Sequence, residues 1–251
     1  MNEDVEELLV KIVGIKNYKR RNINMEKKYE LTDETIEWNG RTLHRIRALR
    51  DVGKPQDNIC KGDLGGFVES EENLSHEGNC WIYNDGKVYE NARVIENAYL
   101  EDSPEIYGNA LIQDYSHIAG YNVKIFGNAI ITGCSKVYAG SIYDKAILID
   151  SEVWTDYKIY GSTRIIKSKI YFEDDEHRPI GLIHGDTIIC GTVIYGNCRI
   201  YDNAQIYNAE ISDCDIHGTA QILCNKNIIN NIFECRRFYT GIFTGVDDNL
   251  V

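Results

Sequence analysis

Six histidines occur in the sequence, and two of them could carry acid–base chemistry. His117 in "DYSHIAG" and His184 in "LIHGD" lie beside residues that favour turns. An imidazole whose pKa is near neutrality can act as a general base on a hydroxyl or an amine within hydrogen-bond reach. Asp186 is the candidate carboxylate to orient such a ring. The alternative is a structural role, because a single histidine in a β-rich protein is more often a surface residue or a hydrogen-bonded one.

Other reaction classes lack their sequence signatures. The chain has no Walker A loop, no dinucleotide-binding glycine pattern and no G-x-S-x-G elbow. Its eight cysteines are scattered without a C-x-x-C pair, so the spacing of a structural zinc site is absent. No histidine recurs at a spacing that would bring three together. We therefore predict neither a metal nor a cofactor.

A repeated phrase supplies the second candidate site. "IYGNALI" at residue 106 recurs as "IFGNAII" at 125, "IYGNCRI" at 194 and "IYDNAQI" at 200, with an aromatic residue after the aliphatic one. Counting along the repeat places five aromatic residues on one side of the molecule: Tyr89, Tyr107, Phe126, Tyr143 and Tyr160. Each follows an inward residue of a strand and should point outward. They are either cross-strand packing or a binding and subunit-contact surface.

The elements that carry these residues are predicted to be short strands. Aliphatic residues recur mostly in steps of six, as in Ile106, Ile112 and Ile118. A step of six fits the two-residue alternation of a strand and not the 3.6-residue turn of a helix. Gly-Asn, Asp-Asn and Glu-Asn pairs between them supply turns, and a small residue such as Ala110 follows at an inward corner.

This pattern resembles the hexapeptide-repeat proteins, and the resemblance implies an all-β, left-handed parallel β-helix with three hexads in each triangular coil. The general rule for parallel crossovers favours the opposite hand, so the handedness rests on the resemblance. The length allows about eight coils with a cap at each end, because a single coil cannot bury enough surface to stand alone.

The same resemblance implies a trimer. It also implies acyl-CoA-dependent acyl transfer as one function, with His117 or His184 as the general base, because many members of the superfamily are acyltransferases. This chain departs from those enzymes in placing Tyr where they favour Gly, and it shows no clear site for a pantetheine arm.

Residues 27 to 110 resemble, more specifically, a family of uncharacterised hexapeptide-repeat proteins of bacteriophages and prophages. The strings "KYELTDETIEWNGRTLHRIRAL" and "GDLGGFVESEENLSHEGNCWIY" carry this resemblance.

Four segments follow from these patterns. Residues 1–24 are an extension, helical or disordered, and residues 25–79 form an N-terminal cap whose hairpin turns at Asn39 and Gly40 in a type I′ turn. Residues 80–230 are the β-helix, with a protruding loop at 171–186 where an acidic, proline-containing stretch breaks the period. Residues 231–251 drop the phrase and form a C-terminal cap.

Net charge and hydropathy exclude some classes of partner. A net charge of −12 argues against nucleic acid, which needs clustered Lys and Arg. No apolar run approaches the roughly 18 residues of a membrane span, and the acidic start "MNEDVEELLV" is not a secretory signal. These features predict a cytoplasmic protein, in the bacterial host cytoplasm if it is phage-encoded, with no membrane partner.

We therefore expect a non-catalytic phage- or prophage-type binding or scaffold protein. Such a protein would self-associate and would capture a small metabolite, a nucleotide signal or a host protein. The alternative function is the acyltransferase.

Overall fold

The computed structural model describes residues 26–53, 59–171, 181–224, 232–234 and 237–243. Within these ranges the regular elements are all β-strands. No helix of the described residues has the length and apolar character needed to cross a bilayer. The predicted N-terminal extension at 1–24 lies outside the described residues, as do residues 172–180 of the predicted loop.

Three antiparallel strands precede the repeat: β1 (Tyr29–Trp38), β2 (Arg41–Ala48) and β3 (Leu64–Val68). Asn39 and Gly40 join β1 to β2 with φ angles of 48° and 75°. Positive φ at both central residues is the requirement of a type I′ turn, so the predicted hairpin is confirmed. β2 then pairs antiparallel with β3, and β3 pairs in parallel with the first coil.

Short strands follow in regular order. Those before residue 172 are β4 (Trp81–Ile82), β5 (Lys87–Val88), β6 (Arg93–Val94), β7 (Tyr99–Glu101), β8 (Glu105–Ile106), β9 (Leu111–Ile112), β10 (His117–Ala119), β11 (Lys124–Ile125), β12 (Ile130–Thr132), β13 (Lys136–Val137), β14 (Ser141–Ile142), β15 (Ile147–Ile149), β16 (Glu152–Val153), β17 (Lys158–Ile159), β18 (Arg164–Ile166) and β19 (Lys169–Tyr171). Those after it are β20 (Leu182–Ile183), β21 (Ile188–Cys190), β22 (Val193–Tyr195), β23 (Arg199–Ile200), β24 (Gln205–Tyr207), β25 (Glu210–Ser212), β26 (Asp215–Leu223), β27 (Ile232–Glu234) and β28 (Arg237–Phe243).

These strands form three faces of a parallel β-solenoid of about eight turns. The first face contains β5, β8, β11, β14, β17, β20 and β23, and the second contains β6, β9, β12, β15, β18, β21 and β24. The third face runs from β4 through β7, β10, β13, β16, β19, β22 and β25 to β27, while β26 closes the first two faces. The prediction of an all-β, three-sided parallel β-helix is confirmed.

The core is the stack of aliphatic residues that the period of six predicted. Ile106, Ile125, Ile142 and Ile159 lie opposite one another in successive strands of the first face, and all four are fully buried. Small residues such as Ala110 fill the corners without exposure to solvent beyond 1%. Each coil therefore covers the apolar side chains of the next.

Acidic residues occupy many of the left-handed turn positions, which the sequence pattern assigned chiefly to Gly and Asn. Glu90, Glu96 and Asp114 have φ angles of 58°, 60° and 58°. The Glu90 carboxylate accepts the backbone N–H of Gly108 in the next coil at 2.8 Å, and Glu96 does the same for Asp114 at 3.0 Å. A charge-assisted hydrogen bond to the neighbouring coil thus offsets the cost of the unusual backbone angle.

The ends of the predicted loop and of the predicted C-terminal cap belong to the solenoid. Tyr171 ends β19, and Leu182 begins β20 on the first face, so both edges of the 171–186 segment lie in coils. In the segment predicted as the C-terminal cap, β27 pairs in parallel with β25, and β28 pairs in parallel with β26. The described part of that segment therefore adds backbone to the solenoid.

Candidate functional site

Eight rings form one continuous stack along the first face, which we call the ring column. Its members are Tyr89, Tyr107, Phe126, Tyr143, Tyr160, His184, Tyr201 and His217. Successive centroids lie 5.2, 4.8, 4.7, 4.8, 4.7, 5.3 and 4.9 Å apart, and no interplanar angle exceeds 11°. The five predicted rings are thus stacked in the predicted order, and three further rings continue them.

The backbone sets this spacing. Strands of a sheet lie about 4.8 Å apart, and in-register parallel pairing puts equivalent residues of successive coils directly above one another. Ile159 lies opposite Ile183, and Ile183 opposite Ile200, so the residues that follow them also align. The backbone N–H of Tyr160 donates to the carbonyl of Ile183 at 3.0 Å and continues the ladder.

The ring column offers edges, not faces, to solvent. Each inner ring has another ring against both of its faces, so a sugar or a base cannot stack upon it. The rings from Tyr107 to His217 are partly exposed, and their hydroxyls and imidazole nitrogens lie on the ring edges. A ligand therefore cannot stack on the inner rings of the column, whereas their edges can contact another surface.

Tyr89 differs from the other rings because the hairpin covers it. Only 3% of it is exposed, and it packs with Leu43 and Phe67 of the N-terminal cap. The sequence placed Tyr89 in an outward, exposed column, and the structure corrects this: the ring is in the column, but it is buried. The contact surface of the ring column begins at Tyr107.

A buried carboxylate fixes the hairpin at this point. Glu105 accepts hydrogen bonds from the Trp38 indole at 2.9 Å and from the Asn39 amide at 3.1 Å, and the Tyr89 hydroxyl donates to the same oxygen at 2.5 Å. The Lys124 ammonium lies 3.0 Å from its other oxygen. Burial alone would raise the pKa of Glu105, but the bonds from Tyr89, Trp38 and Lys124 outweigh it and hold the pKa below its usual range.

His184, a predicted general base, is a member of the ring column. Tyr160 and Tyr201 lie against its two faces at 4.7 and 5.3 Å. Burial lowers the pKa of His184, and the carboxylate that acts on it is Asp202. Asp186, the predicted orienting carboxylate, is exposed on the following turn beside Asp202 at the rim of a shallow groove.

His117, the other predicted base, is on the third face and is held at both ring nitrogens. Its Nε2 lies 2.7 Å from the Glu101 carboxylate, and the Tyr138 hydroxyl lies 3.3 Å from its Nδ1. A carboxylate only accepts hydrogen bonds, so Nε2 carries a proton that it donates to Glu101. Burial raises the pKa of Tyr138, with smaller contributions from Glu152 and Glu101, so the phenol keeps its proton.

Aromatic side chains surround His117 and extend the site. Tyr99 stacks on the imidazole at 4.2 Å, and Tyr138 stacks on Trp154 at 4.1 Å. Trp154 leaves 49% of its surface exposed. We call these residues, with Glu101, the His117 patch. It presents a carboxylate, a phenol and a half-exposed indole on one face.

The sequence did not reveal the His117 patch, although it contained the signal. Glu101 and Tyr138 lie 16 and 21 residues from His117, which is close to one coil in each direction. The predicted row of equivalent positions placed Glu101 and Tyr138 on one side of the rod but left His117 out, because it lies two residues before Ala119, the residue of its strand that pairs with Glu101. His117 and His184 lie on different faces and do not form one site.

No protein-family model matches the chain, and no curated protein matches it. Among the described residues, no group of three or more His, Cys, Asp and Glu side chains is placed to hold a metal ion.

Proposed function

We propose that this protein is a non-catalytic binding or scaffold protein of the phage- or prophage-type hexapeptide-repeat kind. Its ligand site is the His117 patch, and the ligand is a small metabolite, a nucleotide signal or a group on a host protein. The resemblance of residues 27–110 and the solenoid fold support the class of protein, and the geometry of the patch supports the site.

The observation that carries this proposal is the set of contacts around the His117 imidazole. Its Nε2 donates to the Glu101 carboxylate at 2.7 Å, and the Tyr138 hydroxyl lies 3.3 Å from its Nδ1. Tyr99 stacks on the ring at 4.2 Å. These contacts fix the imidazole on the third face, and the imidazole in turn orients Glu101 and Tyr138 beside Trp154.

The ligand chemistry follows from the exposed groups. Trp154 is stacked on Tyr138 and is 49% exposed, so its remaining surface can contact a planar base or a sugar ring. Glu101, whose side chain is 37% exposed, accepts hydrogen bonds from hydroxyl or amino groups. Lys136 and Lys169 lie within 3.9 Å of Glu152 beside this surface and supply positive charge for an anionic group.

Acyl transfer is the second candidate, and one observation favours it. Because burial lowers the pKa of His184, its imidazole is neutral at pH 7, which is the form that a general base needs. The position of Asp186 argues against acyl transfer. The described contacts of the His184 ring are its stacks with Tyr160 and Tyr201, and the carboxylate that acts on its pKa is Asp202.

The experiment combines a binding measurement with an activity screen. Purified protein is tested for retained small molecules by mass spectrometry after denaturation, and in parallel with acetyl- and succinyl-CoA and a panel of amine and hydroxyl acceptors. We expect a retained molecule that is lost in Trp154→Ala and kept in His184→Phe, and no turnover. Turnover that disappears in His184→Phe, a variant that keeps the ring but not its nitrogens, would instead establish the acyltransferase.

We also propose that the protein self-associates, as a trimer by resemblance, through the ring column. Its partly exposed edges from Tyr107 to His217 form a long surface of hydroxyls, imidazoles and one phenyl ring. Tyrosine is enriched at subunit contacts because its ring buries apolar area while its hydroxyl hydrogen-bonds.

A further inference from the structure

A lysine and a cysteine meet inside the N-terminal unit, away from both sites described above. Lys28 immediately precedes β1, Cys80 immediately precedes β4, and both residues are fully buried. The Nζ of Lys28 lies 3.0 Å from the Sγ of Cys80 and 2.7 Å from its carbonyl oxygen. The contact joins two segments that are 52 residues apart in the chain.

The surroundings make this an unusual place for an ammonium group. Burying a lysine disfavours its charged form, and burial is the main reason that the pKa of Lys28 is lowered. The adjacent sulfur acts in the other direction and favours the charge. The neutral amine, which has a lone pair for bond formation, is therefore more accessible in Lys28 than in an exposed lysine.

Structural reasons alone do not require this pair. An apolar residue at either position could fill the same volume without the cost of burying an amine. The Cys80 sulfur also lies 3.3 Å from the carbonyl oxygen of Ser75, so its environment is polar. A nucleophilic nitrogen and an oxidisable sulfur are thus held at contact distance, and both side chains are fully buried.

We infer that Lys28 and Cys80 form a redox-sensitive covalent cross-link in which one oxygen atom bridges Nζ and Sγ. Dioxygen is the oxidant. The thiol and the neutral amine each lose one hydrogen, one oxygen atom becomes the N–O–S bridge, and the other leaves as water with those two hydrogens. Sulfur and nitrogen each give up two electrons, which balances the four-electron reduction of dioxygen. An amine that starts as ammonium first releases a proton.

The distance favours an inserted oxygen over a direct bond. Two atoms separated by 3.0 Å can accept a bridging atom with little movement, whereas a direct N–S bond would have to pull the two backbones together. The core at this point is closely packed around Tyr29 and Trp81, whose rings meet edge to face at 6.5 Å. Close packing resists such a displacement.

The cross-link would tie the start of the hairpin to the first strand of the third face. Like a disulfide, it would restrict the unfolded chain over the loop that it closes. Oxidation would then raise the melting temperature, and reduction would lower it again. The oxidation state of the cell would thus set the strength with which the N-terminal unit holds the solenoid.

The test is intact-mass and peptide mass spectrometry of the full chain kept under argon or exposed to dissolved dioxygen. We expect a species that is heavier by one oxygen atom less two hydrogens, a cross-linked peptide pair containing Lys28 and Cys80, and loss of both on treatment with dithiothreitol. Failure to find that peptide pair in oxygen-treated, folded protein would overturn the inference. So would a Cys80 that carries oxygen without a link to Lys28.

Variants identify the two atoms. Lys28→Arg and Cys80→Ser should each abolish the mass change, while Cys198→Ser should keep it. Cys198 is the matched control, because it is also fully buried but contacts the Tyr195 carbonyl and Tyr157 instead of a lysine. A mass change that persists in Lys28→Arg contradicts the assignment of the nitrogen. Peptide mapping of the parent protein decides the question even if a variant fails to fold.

Discussion

The Trp38 indole donates a 2.9 Å hydrogen bond to the Glu105 carboxylate, and this bond fixes the hairpin to the solenoid. The first prediction concerns this contact. Glu105→Ala should lower the free energy of unfolding by about 3 kcal/mol, because the buried Tyr89 hydroxyl and the part-buried Trp38 indole lose their acceptor at once. Urea unfolding, monitored by tryptophan fluorescence, measures the free energy of unfolding. Glu30→Ala removes an exposed ion pair with Arg47 and should cost less than about 1 kcal/mol. Equal losses in the two variants would show that Glu105 does not hold the hairpin.

Acid should release the same contact. The folded-state pKa of Glu105 lies below its unfolded value, so its contribution to stability is complete above the unfolded pKa and is lost as the pH falls through the folded pKa. The unfolded value is about 4.3, so the loss should begin near that pH and continue below it. Stability measured from pH 6 to about pH 3 should fall less steeply in Glu105→Gln than in the parent. Parallel curves would contradict the prediction.

The third prediction tests the inward and outward alternation within one strand. Ile159→Asp should destabilise the protein by about 4 kcal/mol or more, because it buries an unpaired charge in a core without room to relax. Lys158→Asp changes the neighbouring exposed residue of β17 and should cost less than about 1 kcal/mol. Thermal and urea unfolding of the two variants give the comparison. If Ile159→Asp has the same melting temperature as the parent, the assigned inward face is wrong.

His184 allows stacking and ionisation to be separated. His184→Ala should cost about 1 to 2 kcal/mol, because it removes the ring between Tyr160 and Tyr201, and His184→Phe should recover most of that loss. Burial depresses the folded-state pKa of His184, so the neutral ring stabilises the fold fully above the unfolded pKa near 6.5 and less as the pH falls through the folded value. His184→Phe should therefore lose less stability than the parent between pH 7 and about pH 5. An equal loss in His184→Phe and the parent would show that another group causes the pH dependence.

The ring column can be tested as a subunit contact by changing two of its rings. Tyr107→Thr with Tyr143→Thr keeps β-propensity and removes two partly exposed rings from the stack. If the column is an interface, the double variant should dissociate, since removing an interface anchor can cost about 2 kcal/mol or more. Sedimentation velocity of parent and variant gives the masses. The matched pair Tyr107→Phe with Tyr143→Phe shows how much the hydroxyls contribute. A monomeric parent, or an oligomer unaffected by the Thr changes, would leave the column as sheet packing alone.

The sequence by itself determined the solenoid, its inward residues and the hairpin turn. These features depend on local rules: the two-residue alternation of a strand directs Ile125 inward and Phe126 outward, and only residues that tolerate positive φ fit the turn at Asn39 and Gly40. A nearly constant step of 17 to 19 residues also aligned Tyr89 through Tyr160, because each coil has almost the same length. The features that depend on the repeat period could therefore be predicted from the sequence alone.

Tertiary structure determined the residue contacts where the repeat period is interrupted and where distant segments of the chain meet. The segment between Tyr171 and Leu182 interrupts the period, so the register that brings His184 onto Tyr160 depends on how the chain re-enters the first face. The burial of Tyr89 depends on a hairpin that no repeat predicts to fold over it. The contact of Lys28 with Cys80 joins two segments outside the six-residue pattern. Periodicity specifies the direction of a side chain from its own strand, whereas its neighbours across coils and caps depend on packing between parts of the chain that no local rule connects.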